Sequence, residues 1–250
     1  EAVGSDTRKQ LRYLCSAQQN TVTLIQNAAV YQARLENFSA AGILVHLNEN
    51  QGSSLEWLNL DIPGILNIVS EQGAVYTGQV DIIHRGGGAY LLKPSTAATP
   101  RYTSKKYRAR RQRLNPSPDL SFTHPVTGRR FSLKLIDLGS LGFSVFEEKP
   151  RASLIPGLLI RDMEVTFAGN PLMRCLAQVV YCQQDMEDPQ RIRVGFAILD
   201  ISVNDHLRLI SLIQQAEDPQ AYVGNQVSAS DLFEFFFETG FLYPNKYKEI

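Results

Sequence analysis

The chain repeats itself once at a spacing of about 100 residues, and this repeat limits its possible folds more than any other feature. Val30-Tyr31-Gln32-Ala33-Arg34-Leu35-Glu36-Asn37 lies over Arg130-Phe131-Ser132-Leu133-Lys134-Leu135-Ile136-Asp137 at an offset of 100. Both copies continue into a polar, glycine-bearing segment and then an apolar run. In the first, Asn37-Phe38-Ser39-Ala40-Ala41-Gly42 leads to Ile43-Leu44-Val45; in the second, Asp137-Leu138-Gly139-Ser140-Leu141-Gly142 leads to Phe143-Ser144-Val145-Phe146. Arg12 stands 25 residues before Asn37 and Arg113 stands 24 before Asp137, which sets these arginines over one another at an offset of 101.

Each copy reads as β-structure. Phe131 to Asp137 alternates apolar and polar residues, as a strand with one buried face does. Gly42 to Leu47 suits the next strand. Ala74–Ile83 followed by Gly86–Leu92 reads as a hairpin that closes the first copy, with Gly86-Gly87-Gly88 as its turn or bulge. Leu176–Cys182, the acidic loop Asp185–Pro189 and Ile192–Leu199 repeat that hairpin in the second copy. Many short strands separated by turn signals favour a barrel or a sandwich. Two helices are expected near the end: one capped by Asn204 or Asp205 and carrying Leu207, Leu209, Ile210, Leu212 and Ile213, and one starting near Ser228 or Ser230. The small, proline-flanked Ser95-Thr96-Ala97-Ala98-Thr99-Pro100 marks a linker. The expected organisation is a first module over 1–94, a basic arm over 95–113, a second module with a helix over 114–216, and an apolar tail over 217–250.

Lys plus Arg and Asp plus Glu both total 25, so bulk charge does not make the chain a polyanion binder. Any anion site has to come from local clustering. Arg101, Lys105, Lys106, Arg108, Arg110, Arg111 and Arg113 supply it, with no acid among them. Arginine suits phosphate or guanine, because its planar fork matches phosphate oxygens and guanine O6/N7 and can stack on a base. Nucleic acid is not the expected partner: net charge is zero, and only Tyr102 and Tyr107 interleave the cluster as stacking aromatics. The three cysteines (Cys15, Cys175, Cys182) and four scattered histidines show no metal or disulfide spacing, so no metal site is expected. No apolar run is long enough for a membrane span, and the first residues do not read as a signal peptide, so a cytoplasmic location is expected. Phosphate-loop and nucleophile-elbow motifs are both missing, and binding is expected rather than catalysis.

Arg8-x-x-x-Arg12 followed by Asn37-x-Ser39-x-x-Gly42 resembles the signature of the PilZ family, in which Arg-x-x-x-Arg precedes Asp/Asn-x-Ser-x-x-Gly. The resemblance covers roughly residues 8–93 and 105–215. It implies a mainly β fold of two consecutive small PilZ-like β-barrels with C-terminal helices, and a receptor for cyclic di-GMP with no further cofactor. By the same resemblance, Arg8 and Arg12 take phosphate and guanine, Asn37 and Ser39 contact guanine, and Gly42 shapes the turn. The second copy departs from the pattern: Gly139 replaces the serine, and no arginine stands four residues before Arg113. Arg108, Arg110, Arg111, Arg113, Asp137 and Gly142 are its corresponding candidates, and the first module is the expected stronger site. The alternative is a PilZ-fold protein-interaction module that has lost its ligand. The aromatic run Phe233-Glu234-Phe235-Phe236-Phe237 suggests a contact with a protein partner or a following domain, or docking on the barrels themselves.

Overall fold

The computed structural model describes residues 12–14, 20–48, 55–70, 73–94 and 111–217. The expected second helix, the aromatic tail, Arg8, Arg108, Arg110 and Cys15 lie outside these residues.

The first module contains β1 (Tyr13–Leu14), β2 (Asn20–Gln26), β3 (Ala29–Ser39), β4 (Gly42–Asn48), β5 (Gly64–Ser70), β6 (Gly73–Gly86) and β7 (Ala89–Pro94). The second contains β8 (Arg111–Gln112), β9 (Asp119–Thr123), β10 (Arg130–Gly139), β11 (Gly142–Glu148), β12 (Leu159–Phe167), β13 (Asn170–Gln184) and β14 (Arg191–Ile201), and α1 (Val203–Glu217) follows. In the first sheet β3-β2-β5-β6-β7-β4 run side by side, and β4 pairs back onto β3 to close a six-stranded antiparallel barrel. The second sheet closes identically through β10-β9-β12-β13-β14-β11 and the β10–β11 pairing. These are the two PilZ-like barrels that the resemblance implied. Closure removes the exposed sheet edges that an open meander of this length would present.

Alternation along the strands fills each barrel. Val22 and Leu24 on β2, Tyr31 on β3 and Leu66 and Ile68 on β5 point inward in the first; Leu120, Leu135, Phe143 and Phe196 do so in the second. Gly86, Gly87 and Gly88 all take positive φ (91, 60 and 76°), and the β6–β7 register slips between His84 and Gly86, so this segment is both bulge and turn.

Helix α1 starts two or three residues earlier than its sequence suggests. Ser202 is the cap: its Oγ accepts the amide of Asp205 at 3.1 Å and its carbonyl accepts the amide of His206. Asp205, expected as the cap, sits in the first turn, where its carboxylate accepts the backbone N–H of Arg174 and pairs with Arg208. His206, Leu209 and Ile213 form the buried stripe, and the helix rests against β13, β10 and β8.

The barrels share one apolar core. The Phe38 ring meets His124 edge-on at 5.2 Å, the amide of Ala40 donates to the Ala152 carbonyl at 3.0 Å, and the Tyr13 hydroxyl donates to the Arg151 carbonyl at 2.7 Å. Arg129 stacks its guanidinium over the Tyr13 ring at 4.6 Å.

Candidate functional site

In each barrel a short leading strand occupies the edge of a long strand just where its first neighbour leaves off. β2 pairs with β3 only as far as Ala33, and β1 then takes the same strand at Asn37 and Phe38. β9 pairs with β10 only as far as Lys134, and β8 takes it at Leu138 and Gly139. The pairings Tyr13↔Phe38 and Gln112↔Leu138 fix the correspondence between the copies. Arg12 therefore lies over Arg111, at an offset of 99, and not over Arg113. Counting arginines misaligned the arms, because strand register and not residue type decides which guanidinium meets the motif. Arg113 is exposed beyond the end of β8.

A β-bulge at the same place in both copies turns the motif residue toward the arm. The β3–β4 register slips between Leu35 and Asn37, and the β10–β11 register slips between Leu135 and Asp137. Arg12 Nη1 donates to Asn37 Oδ1 at 3.0 Å, and Arg111 Nη1 donates to Asp137 Oδ1 at 3.3 Å. Thus the arm and the downstream polar residue converge in both barrels.

Around these pairs the two faces differ. In the second barrel Arg193 Nη2 donates to Asp137 Oδ2, and Arg193 Nε and Nη2 each lie 3.3 Å from Ser144 Oγ. Asp137, 8% exposed, so holds two guanidinium groups side by side, each about a third exposed. Strand pairing sets Asp137, Ser144, Gly195 and Tyr181 in one row across β10, β11, β14 and β13. The Tyr181 ring lies against Gly195 so closely that a Cβ there would sit 2.0 Å from a ring carbon. The matching row of the first barrel is Asn37, Leu44, Leu91 and Ile83, and Ala89 stands where the second has Arg193. Ser39 is fully buried there, and its hydroxyl donates to the Gly42 carbonyl at 3.3 Å.

Gly42 and Gly142 admit the neighbouring strand rather than a guest. A Cβ on Gly42 would lie 2.7 Å from Leu91 Cδ1, and one on Gly142 would lie 2.2 Å from the Phe196 carbonyl oxygen. Arg193, Ser144, Gly195 and Tyr181 were missed as site residues from sequence. The available signal was Arg193 two residues before Gly195, which puts both on one face of a strand.

No family model matches the chain, and no curated protein matches it. Solved structures similar to it include the Klebsiella pneumoniae MrkH–c-di-GMP complex, at 10% identity over 79% of this chain and 87% of that one, with a TM-score of 0.37. The Bacillus subtilis inhibitor of motility MotI/DgrA aligns at 12% identity over 82% and 99%, with a TM-score of 0.40. Escherichia coli YcgR in complex with c-di-GMP aligns at 15% identity over 82% and 89%, with a TM-score of 0.38.

Among the described residues no group of histidine, cysteine and carboxylate side chains is placed to hold a metal ion, and no helix is long and apolar enough to cross a membrane. Cys175 is buried and Cys182 half-buried, both as free thiols; burial pushes the Cys175 thiol up to about 12.

Proposed function

We propose that this chain is a cyclic di-GMP receptor whose principal site is the Asp137 face of the second barrel. The carrying observation is the two-guanidinium clamp of Arg111 and Arg193 on one buried carboxylate. A guanidinium has five N–H donors, and the clamp occupies only some of them. The remaining edges form a pre-set, partly exposed fork for a phosphate or for guanine O6/N7. The fully buried Ser144 hydroxyl holds Arg193 in place, and Tyr181, seated on Gly195, offers a ring against which a purine can stack. Arg108, Arg110 and Arg113 belong to the same arm and raise the local positive potential that draws a dianion in.

This reverses the ranking expected from sequence. The first barrel has the fuller motif, with Arg12, Asn37, Ser39 and Gly42, but one described guanidinium and an apolar row of Leu44, Leu91 and Ile83 beside it. The second reading, a protein-interaction module without ligand, fits that first barrel better than the second. A receptor role needs no catalytic group. The natural output is a change in how the arm and the joint between the barrels are held, since Tyr13 of the first arm hydrogen-bonds directly to the second barrel.

Titration calorimetry with cyclic di-GMP tests this. Arg111→Ala is expected to weaken binding about tenfold or more, and Arg12→Ala and Arg113→Ala by clearly less. Absence of heat at ligand concentrations up to about a millimolar removes the receptor reading. Equal losses in Arg12→Ala and Arg111→Ala remove the ranking.

A further inference from the structure

A concavity far from the Asp137 face has the make-up of a ligand site. A cleft of about 570 Å³ opens between the barrels, within the usual range for small-molecule sites. Asn20 and Ser70 line its first-barrel wall, and Ser121, Thr123, Arg130 and Arg161 line its second-barrel wall. Arg130 begins β10, seven residues before Asp137, which is roughly 23 Å along a strand. No residue of the Asp137 clamp reaches the cleft.

Several observations give this cleft the chemistry of an anion site. Neither Arg130 nor Arg161 has an ion-pair partner among the described residues, whereas nearby Arg174 is committed to Asp162 at 3.2 Å. Arg161 leans across the cleft, its Nη2 lying 3.5 Å from where a Cβ on Gly73 would stand. On the facing wall, Asn20 Oδ1 is buried and has no hydrogen-bond partner among the described residues. The backbone that presents Arg161 is irregular as well: the β12–β13 register slips between Ile160 and Met163, and Asp162 is held at φ 54°. A non-glycine residue in that region is costly, and such strain gathers where a side chain has to be aimed. Glu164 also lines the cleft, but with Arg174 and Asp162 paired the two open guanidinium groups outweigh it.

We propose that this cleft is a separate binding site for a small metabolite bearing a phosphate or carboxylate group. Arg130 and Arg161 take the oxyanion, and a hydroxyl or N–H of the guest satisfies Asn20 Oδ1. Because its walls come from both barrels, the guest ties them together, and occupancy of this site bears on the joint without competing at Asp137. The inference does not depend on the cyclic di-GMP reading.

The test is calorimetry on the full chain with glycerol 3-phosphate and, separately, with citrate, both of which carry a hydroxyl. One of the two is expected to bind with saturable heat, and which one identifies the oxyanion class. The Arg130→Gln/Arg161→Gln double variant is expected to bind about tenfold or more weakly, while Arg111→Ala binds as the wild type does. Both arginines are exposed, so the double variant should keep its ligand-free melting curve. Asn20→Asp, which adds a negative charge to the opposite wall, weakens binding as well and guards against a folding defect in the double variant. The proposal is overturned if neither anion binds, if either cleft variant binds like the wild type, or if Arg111→Ala abolishes the binding.

Discussion

At the residue scale the most consequential buried charge is not in either motif. Glu147, 4% exposed, accepts the amides of Ser153 and Leu154 at 3.1 Å each and the Ser153 hydroxyl at 3.5 Å. It thereby holds the buried segment 152–158, whose Ala152 carbonyl receives the hydrogen bond from Ala40 of the first barrel. Burial pushes its pKa from 4.5 up to about 7, against the opposing effect of those donors. The folded chain then binds more protons than the unfolded one between about pH 4.5 and 7, so stability from this group is full below that window and is lost as pH rises through it. His124 and His206, pushed by burial down to about 4, act oppositely: their contribution is lost as pH falls from about 6.5 to 4. Glu147→Gln keeps an acceptor and removes the titration. Urea denaturation at pH 5 and pH 8 should show the variant gaining on the wild type by roughly 2–3 kcal/mol as pH rises. A difference that does not change with pH would contradict the assignment.

At the element scale, each barrel depends on a β-bulge, a two-residue hairpin loop and a glycine without room for a side chain. The loop Ser140-Leu141 joins β10 to β11, and Gly142 then lies against the β14 backbone. Because the clash in Gly142→Ala is with a backbone carbonyl at 2.2 Å, no rotamer relieves it, and β11 and β14 have to separate. Their pairing carries Arg193 opposite Phe146 and sets Ser144 beside Gly195. The substitution is expected to cost about 2–4 kcal/mol in a urea titration and to weaken cyclic di-GMP binding by displacing Arg193. In Gly42→Ala the nearest atom is a leucine methyl, a neighbour more able to yield, but Gly42 sits at φ 151°, which a side chain rarely adopts, and the Leu92 carbonyl oxygen stands 3.1 Å away, so that substitution is strained by its backbone rather than by one clash. Retained stability in Gly142→Ala would mean the β11–β14 contact is looser than its geometry indicates.

On the scale of the whole molecule, the barrels are not beads on a string. The apolar core runs through both, and the joint includes Phe38 on His124, Tyr13 on Arg151, and Gly157 packed against the Tyr76 ring. Separating them would expose the buried segment 152–158 and break its hydrogen bonds, so the barrels should unfold together. Differential scanning calorimetry is expected to show one transition, shifted upward as a unit by any ligand that binds the folded chain. Two resolved transitions would show that each barrel stands alone and that the joint is weak.

The repeat, the strand content and the pairing of an arginine arm with Asn37 or Asp137 were all written in local residue order. Alternation, turn residues and spacing act over a few neighbours, and each copy states them independently. Register was not legible: an arm shifted by two residues along the chain, Arg113 for Arg111, looks equally good as a string, and only the ladder of β8 on β10 excludes it. Nor could the string show that Arg193, 56 positions after Asp137, closes the same clamp, that the Ser39 hydroxyl turns inward, or that Asn20 and Arg161 face each other across a cleft. Those facts arise when barrel closure and the joint bring distant strands side by side, and closure is a property of the folded whole rather than of any segment of it.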